Sequence, residues 1–200
     1  MIEGWRAVWD QQSPSVIKAE GGHDFPFYIV QLANFQAYRA DANPTSGWAQ
    51  LREAQTYIAE NVKNAGLAVT IDIGEEKDIH PRNKQDVGKR LALVALRDAY
   101  GKDVLASGPR RGEIELLAGK AIVHFADVGE GLKTREPNVS SDRSPALNEL
   151  MAIDTPVRGF SIRDEAGKWH WAQAKLVGKD TVELTSEAVK TPTGVDRKST

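Results

Sequence analysis

The chain has 200 residues, 26 basic against 28 acidic side chains, a formal net charge of −2 and no cysteine. That length holds one large domain or two small ones, and the balanced charge, without a basic stripe, gives nucleic-acid binding no support. No apolar run approaches the length of a bilayer span, and the absence of thiols excludes disulfides, thiolate metal sites and a cysteine nucleophile.

The first residues, Met1-Ile2-Glu3-Gly4-Trp5-Arg6, lack the charged and then apolar layout of a signal peptide, and Trp5, Val8 and Trp9 have a helix-like spacing. Phe27 to Ala33, entered through Pro26, is a short apolar, aromatic and β-branched run that reads as a buried strand. From Trp48 to Asn64 the positions Trp48, Leu51, Ile58 and Val62 recur at helical spacing, with Ala54 between them. Ser46 can cap that helix and Gly66 can stop it. Leu67 to Ile73 reads as a second strand. A second helix is expected from about Asn83 to Tyr100, with Val87, Leu91, Val94 and Leu96 inward and Gly101 closing it. Strand, helix, strand, loop, helix is a βαβα unit, which implies adjacent parallel strands and a right-handed crossover. In such sheets sites gather beyond the carboxyl ends of the strands.

After about Ser107 the helical periods vanish and short alternating runs appear between glycine-rich turns: Ala121–Phe125, Gly159–Ile162, Trp169–Ala172 and Thr181–Leu184. Asp164–Lys168 and Gly178–Asp180 have hairpin chemistry. This half reads as an antiparallel β-sandwich or part of one, with Trp169 and Trp171 on one face and His170 on the other. The polar stretch Gly131 to Pro145 reads as a long exposed loop, and Lys190 to Thr200 as a polar tail with no closing strand. Two strands are too few for a covered parallel sheet, so the expectation is a piece of a longer protein, divided into an α/β part over 1–107 and a β-rich part over 108–200.

The segment Asp78-Ile79-His80-Pro81-Arg82-Asn83-Lys84-Gln85-Asp86-Val87 carries the most chemical information. A histidine between a strand end and a helix start is placed for proton transfer, because imidazole titrates near neutrality and rigid elements fix it on both sides. The alternative is a surface-loop histidine. Asp78 is either the group that orients the ring or a turn aspartate, and Asp72 competes for the orienting role. No nucleophile accompanies them: Gly-x-Ser-x-Gly is absent and Ser46 reads as a helix cap. Asp78-x-His80 could also open a metallophosphoesterase-like metal site, but the downstream acidic, Asn and His blocks are missing. His23, His124 and His170 stand alone, the last two on strands where a solvent-facing position is the simpler reading. The loop Asn34 to Gly47, with Phe35, Tyr38 and Arg39, is either the lip of a pocket or an ordered surface loop, and the second is preferred.

Four segments in order, Phe25–Phe35, Trp48–Gln55, Ala68–Gly74 and Asp78–Ala92, resemble the sialate O-acetylesterase family of SGNH-type hydrolases. The resemblance is strong over about residues 24–108 and weaker through Gly159–Ile162 and Trp169–Ala174. It implies a three-layer α/β esterase domain, here a partial SGNH-hydrolase-like parallel sheet followed by an antiparallel β-sandwich-like domain. It further implies removal of O-acetyl groups from sugars, with an acetylated carbohydrate as substrate and neither metal nor other cofactor. The family's catalytic base falls on His80. SGNH enzymes place an aspartate three positions before this histidine, where this chain has Lys77, so the resemblance implies a Ser–His dyad in preference to a triad through Asp78. The family's nucleophilic serine and its Gly and Asn oxyanion donors precede the segments matched here, so the expectation is a C-terminal piece without them, inactive alone. Family members generally act outside the cytoplasm. The competing expectation is a non-catalytic carbohydrate-binding or structural module. Nothing in the sequence points to a membrane or nucleic-acid partner, and the oligomeric state is not legible.

Overall fold

The computed structural model describes residues 1–12, 24–35, 41–44, 46–134 and 157–197. The chain opens with helix α1 (Ile2–Gln12). Ile2 is buried, and so is Arg6, whose guanidinium donates to the carbonyls of Phe25 and Lys63. It thereby gathers the two segments that enter the strands β1 (Phe27–Val30) and β2 (Ala65–Ala68). These strands pair in parallel, Phe27 opposite Ala65 through Val30 opposite Ala68. The βαβ pattern therefore gives the expected pairing, over shorter strands than 27–33 and 67–73.

Helix α2 (Gly47–Asn61) is capped by Ser46, whose hydroxyl accepts from the Ala49 amide at 3.4 Å. Its stop is not Gly66. The chain turns at Asn64, which takes a left-handed φ of 53°, and Gly66 lies within β2. A Cβ on Gly66 would sit 2.6 Å from the Val94 Cγ1, so the glycine is what lets a helix lie this close to the strand. The face of α2 also differs from expectation: Leu51 is 50% exposed and Ile58 38%, whereas Arg52 is 4% exposed. The inward face is polar because the chain leaving β1 has backbone groups to satisfy. The Gln55 side chain accepts from the Leu32 amide, and Gln31 donates to the Arg52 carbonyl and the Thr56 hydroxyl.

Helix α3 (Lys84–Asp98) buries Val94 completely against the sheet. Leu96, expected inward, is exposed; two residues on from Val94 it points to the far side of a 3.6-residue turn. Among the described residues no helix is long and apolar enough to cross a membrane.

The remaining strands form two antiparallel sheets. The first has the order β3-β4-β8-β7, with β3 Arg110–Leu117, β4 Lys120–Ala126, β7 Gln173–Val177 and β8 Thr181–Thr185. The second has the order β6-β5-β9, with β5 Phe160–Arg163, β6 Trp169–Trp171 and β9 Gly194–Arg197. Every second residue of β4 and β8 points inward, so Ala121, Val123, Val182 and Leu184 meet Phe160 and Ile162 of the other sheet in one core. Trp169 and Trp171 pair with Arg163 and Ser161, while His170 pairs with Ile162, so the tryptophans share a face and His170 takes the other, as alternation requires. Strand β9 corrects the expectation of a tail without a closing strand: Phe160–Arg163 pairs with Gly194–Arg197 in full. Only Val195 there is apolar and core-facing, which is too little alternation to read as a strand. Of the expected loop 131–145, residues 135–145 lie outside the described residues.

Candidate active site

Past the last ladder pair the two parallel strands stay side by side through one further backbone bond and then through side-chain bonds. The Gln31 amide donates to the Ala68 carbonyl at 3.0 Å, and the Thr70 hydroxyl donates to the Gln31 carbonyl at 2.5 Å. Thr70 and Gln31 are both buried. Further on, the Gly74 amide donates to the Asn34 Oδ1 at 2.7 Å, and Phe35 bridges to Glu75. A Cβ on residue 74 would fall 1.9 Å from the Asn34 carbonyl oxygen, so only glycine admits this approach. After the Gln31 to Ala68 bond the pairing passes to side chains and to the isolated Phe35–Glu75 bridge.

The loop that leaves this end, residues 69–83, is closed at several points. Arg90 of α3 reaches back to its start, donating from Nη1 to the Val69 carbonyl at 2.6 Å and to the Asp72 Oδ1 at 2.5 Å, and from Nη2 to the Asp72 Oδ2 at 2.8 Å. Burial pushes the Arg90 guanidinium down, but its bonds to Asp72 outweigh that and hold it above its ordinary range. Asp72 is thus committed to Arg90 and is not the partner of His80. The Glu75 Oε1 accepts from the Arg82 amide at 3.3 Å and lies 3.4 Å from the Arg82 Nε. Asn83 caps α3 by accepting from the Asp86 amide at 3.1 Å, and its Nδ2 donates to the Asp86 carboxylate.

At the tip, Asp78 and His80 touch. The Asp78 Oδ1 accepts from the His80 amide at 2.8 Å and lies 3.2 Å from the His80 Nδ1. An extended loop would leave residues two apart out of contact; here the carboxylate turns back on the amide two residues ahead, which is an Asx turn, and the same oxygen meets the ring. The His80 amide, and after it the ring, hold the Asp78 carboxyl below the usual carboxylate range. A carboxylate only accepts, so the neutral ring carries its proton on Nδ1 and leaves Nε2 as the accepting nitrogen. The His80 side chain is 84% exposed, so Nε2 is open to an incoming group. Lys77 is exposed.

The other candidates go elsewhere. Ser46 is a helix cap. His124 bonds Glu115 at 2.7 Å, and His170 bonds Asp164 at 2.7 Å on a ring that is 19% exposed, more enclosed than a solvent-facing strand position. His23, Tyr38 and Arg39 lie outside the described residues. Phe35 lies tilted against Trp48, whose indole donates to the Ala33 carbonyl at 2.7 Å. Among the described residues no group of three or more His, Asp or Glu is arranged to hold a metal ion. Sequence reasoning missed Arg90, Asn34, Gln31 and Thr70. The visible signal was polar residues at the ends of two apolar runs, where strand ends need partners.

No family model matches the chain. It is 32% identical over 132 residues to the sialate O-acetylesterase of Homo sapiens, covering 62% of this chain and 24% of that protein. To the sialate O-acetylesterase of Mus musculus it is 31% identical over 174 residues, covering 80% of this chain and 30% of that protein. The crystal structure of a carbohydrate acetylesterase from Xanthomonas citri superposes with a TM-score of 0.73 at 36% identity, over 98% of this chain and 38% of that one. The chain therefore spans about a quarter to a third of the curated relatives it matches. These likenesses support a sialate O-acetylesterase-like family.

Proposed function

We propose that this chain carries the base of a carbohydrate O-acetylesterase, a serine-type hydrolase that cleaves O-acetyl esters of sugars by a Ser–His mechanism. The observation that carries the reading is the Asp78–His80 pair at the carboxyl end of a parallel strand, with Nε2 exposed and Nδ1 bonded to the carboxylate. In this reading Nε2 takes the proton of a serine hydroxyl as the oxygen attacks the acetyl carbonyl. The imidazolium then gives that proton to the departing sugar oxygen, which leaves as the free hydroxyl, and water releases acetate in a second round. Asp78 keeps the ring in the Nδ1–H tautomer and supports the imidazolium. The serine and the oxyanion donors come from a segment that is not among these 200 residues; the carbohydrate acetylesterase likeness, which leaves most of that chain unmatched, supports this. The architecture that goes with it is a three-layer SGNH-like α/β domain, to which residues 1–107 contribute, followed by a β-sandwich-like domain from residue 108.

The purified chain, incubated with an acetyl ester chromophore, is expected to show little or no turnover. In the longer protein that this reading requires, His80→Ala should lower kcat/KM by about three orders of magnitude or more while leaving the fold intact, and Asp78→Asn should cost less. Turnover by this chain alone that is lost on a Ser→Ala change within it would overturn the division of labour. A folded His80→Ala enzyme of near-normal rate would overturn the role of His80.

A further inference from the structure

We propose that Arg90 is a positioning residue for His80: its three hydrogen bonds to Val69 and Asp72 tie the start of the strand-to-helix loop to the helix that ends it, and so hold the Asp78–His80 contact in place. The inference rests on the reading of His80 as the base and adds the element that fixes it.

Ile79 and Arg82, which flank the His80–Pro81 step, are exposed, and the His80 ring bonds Asp78 of its own loop. That contact is local to an exposed tip, so the loop's two ends set both where the tip sits and how its backbone is held. The far end is the Asn83 cap on α3. The near end leaves β2 at Ala68, and four anchors hold it there: Thr70 on Gln31, Gly74 on Asn34, Glu75 on Phe35, and Asp72 on Arg90. Of these, only Arg90 belongs to the helix at the loop's other end. It therefore closes the ring of covalent and non-covalent links that contains His80. A guanidinium is suited to this closure. Its flat fork spans both oxygens of the Asp72 carboxylate while Nη1 also reaches the Val69 carbonyl, a set that an ammonium cannot reproduce. The pair is half-buried, with side-chain exposures of 27% for Arg90 and 34% for Asp72, so it is less screened than a surface ion pair. Arg197, in the last strand of the antiparallel half, lies within electrostatic reach of the same carboxylate. Burial lowers its pKa and Asp72 acts against that.

The ring tautomer of His80 tests this on the 200-residue chain without any turnover. Imidazole nitrogen shifts report the ratio of Nδ1–H to Nε2–H forms of the neutral ring. Asp78→Asn should lower that ratio several-fold, because the carboxylate no longer selects Nδ1–H. Arg90→Met should lower it by a comparable factor although Arg90 does not touch the ring, and the double variant should add little. Arg90→Lys should fall between Arg90→Met and the parent. An unchanged ratio in folded Arg90→Met protein overturns the proposal; if that variant does not fold, an unchanged ratio in Arg90→Lys overturns it. A merely structural role for Arg90 would lower the denaturation midpoint and leave the tautomer ratio alone. Failure of the esterase reading appears instead in the rate of His80→Ala, so the two outcomes are separable.

Discussion

Replacing Thr70 by valine tests whether side-chain bonds, and not ladder pairing, hold the strand ends together below the site. Thr70 is 1% exposed and its hydroxyl donates to the carbonyl of Gln31, itself a 7% exposed residue. Valine puts a methyl group where the hydroxyl was, so the packing changes little and the carbonyl is left without that donor. A buried acceptor deprived of its partner costs about 1–3 kcal/mol. For a protein of this size, that corresponds to a fall in Tm of about 3–10 °C. The assay is urea denaturation followed by tryptophan fluorescence, in which the midpoint should fall with the slope unchanged. Thr70→Ser serves as the control, because it keeps the hydroxyl and removes one methyl at a cost of about 1 kcal/mol. A Thr70→Val loss below about 0.5 kcal/mol, or one smaller than that of Thr70→Ser, would refute the reasoning, since the bond would then carry no net stability.

Leu184 is fully buried between the two antiparallel sheets, and Leu184→Ala should cost about 2–5 kcal/mol in the same urea assay. Trp48→Phe removes the indole bond to the Ala33 carbonyl and should cost about 0.5–1.5 kcal/mol, with the aromatic contact to Phe35 retained. Glu183 is held below the ordinary glutamate range by its hydrogen bond and charge pairing with Lys120, which lies 2.7 Å away. A depressed carboxylate stabilises the fold above its unfolded pKa and loses that contribution as the pH falls through the folded value. The midpoint difference between the parent and Glu183→Gln should therefore be constant above about pH 5 and shrink below about pH 4. A difference that does not change between those limits would count against the pairing.

Where a residue's neighbours in sequence determine its surroundings, the sequence is readable. Strands β4 and β8 alternate cleanly, and their inward residues are those that meet in the core. The helical pattern that begins near Asn83 marks the start of α3, and the parallel pairing of β1 with β2 follows from the helix between them. Legibility fails where the partner is distant. The polar inner face of α2 makes sense only beside the Gln31 side chain and the Leu32 amide, more than twenty positions earlier. Gly66 looks like a helix stop until Val94 is seen against it. Strand β9 has too few apolar residues to announce itself, yet it finds its edge on β5. His80 could be singled out from its place between a strand and a helix. Its contact with Asp78 depends on a turn that spacing alone leaves open, and Arg90 stands 18 residues from its partner Asp72.

The close passage of Gly74 beneath Asn34 has a consequence for how this segment can change over generations. The gap at that point admits a hydrogen atom and not a carbon. Every amino-acid change reachable from a glycine codon by one base substitution introduces a Cβ: alanine, serine, cysteine, valine, aspartate, glutamate, arginine or tryptophan. Position 74 therefore has no single-step neighbour that leaves the geometry intact. Drift there requires the backbone at residue 34 to shift first, and such a shift would carry the base of the His80 loop with it. Glu76, two positions on and exposed, is free of that order of events.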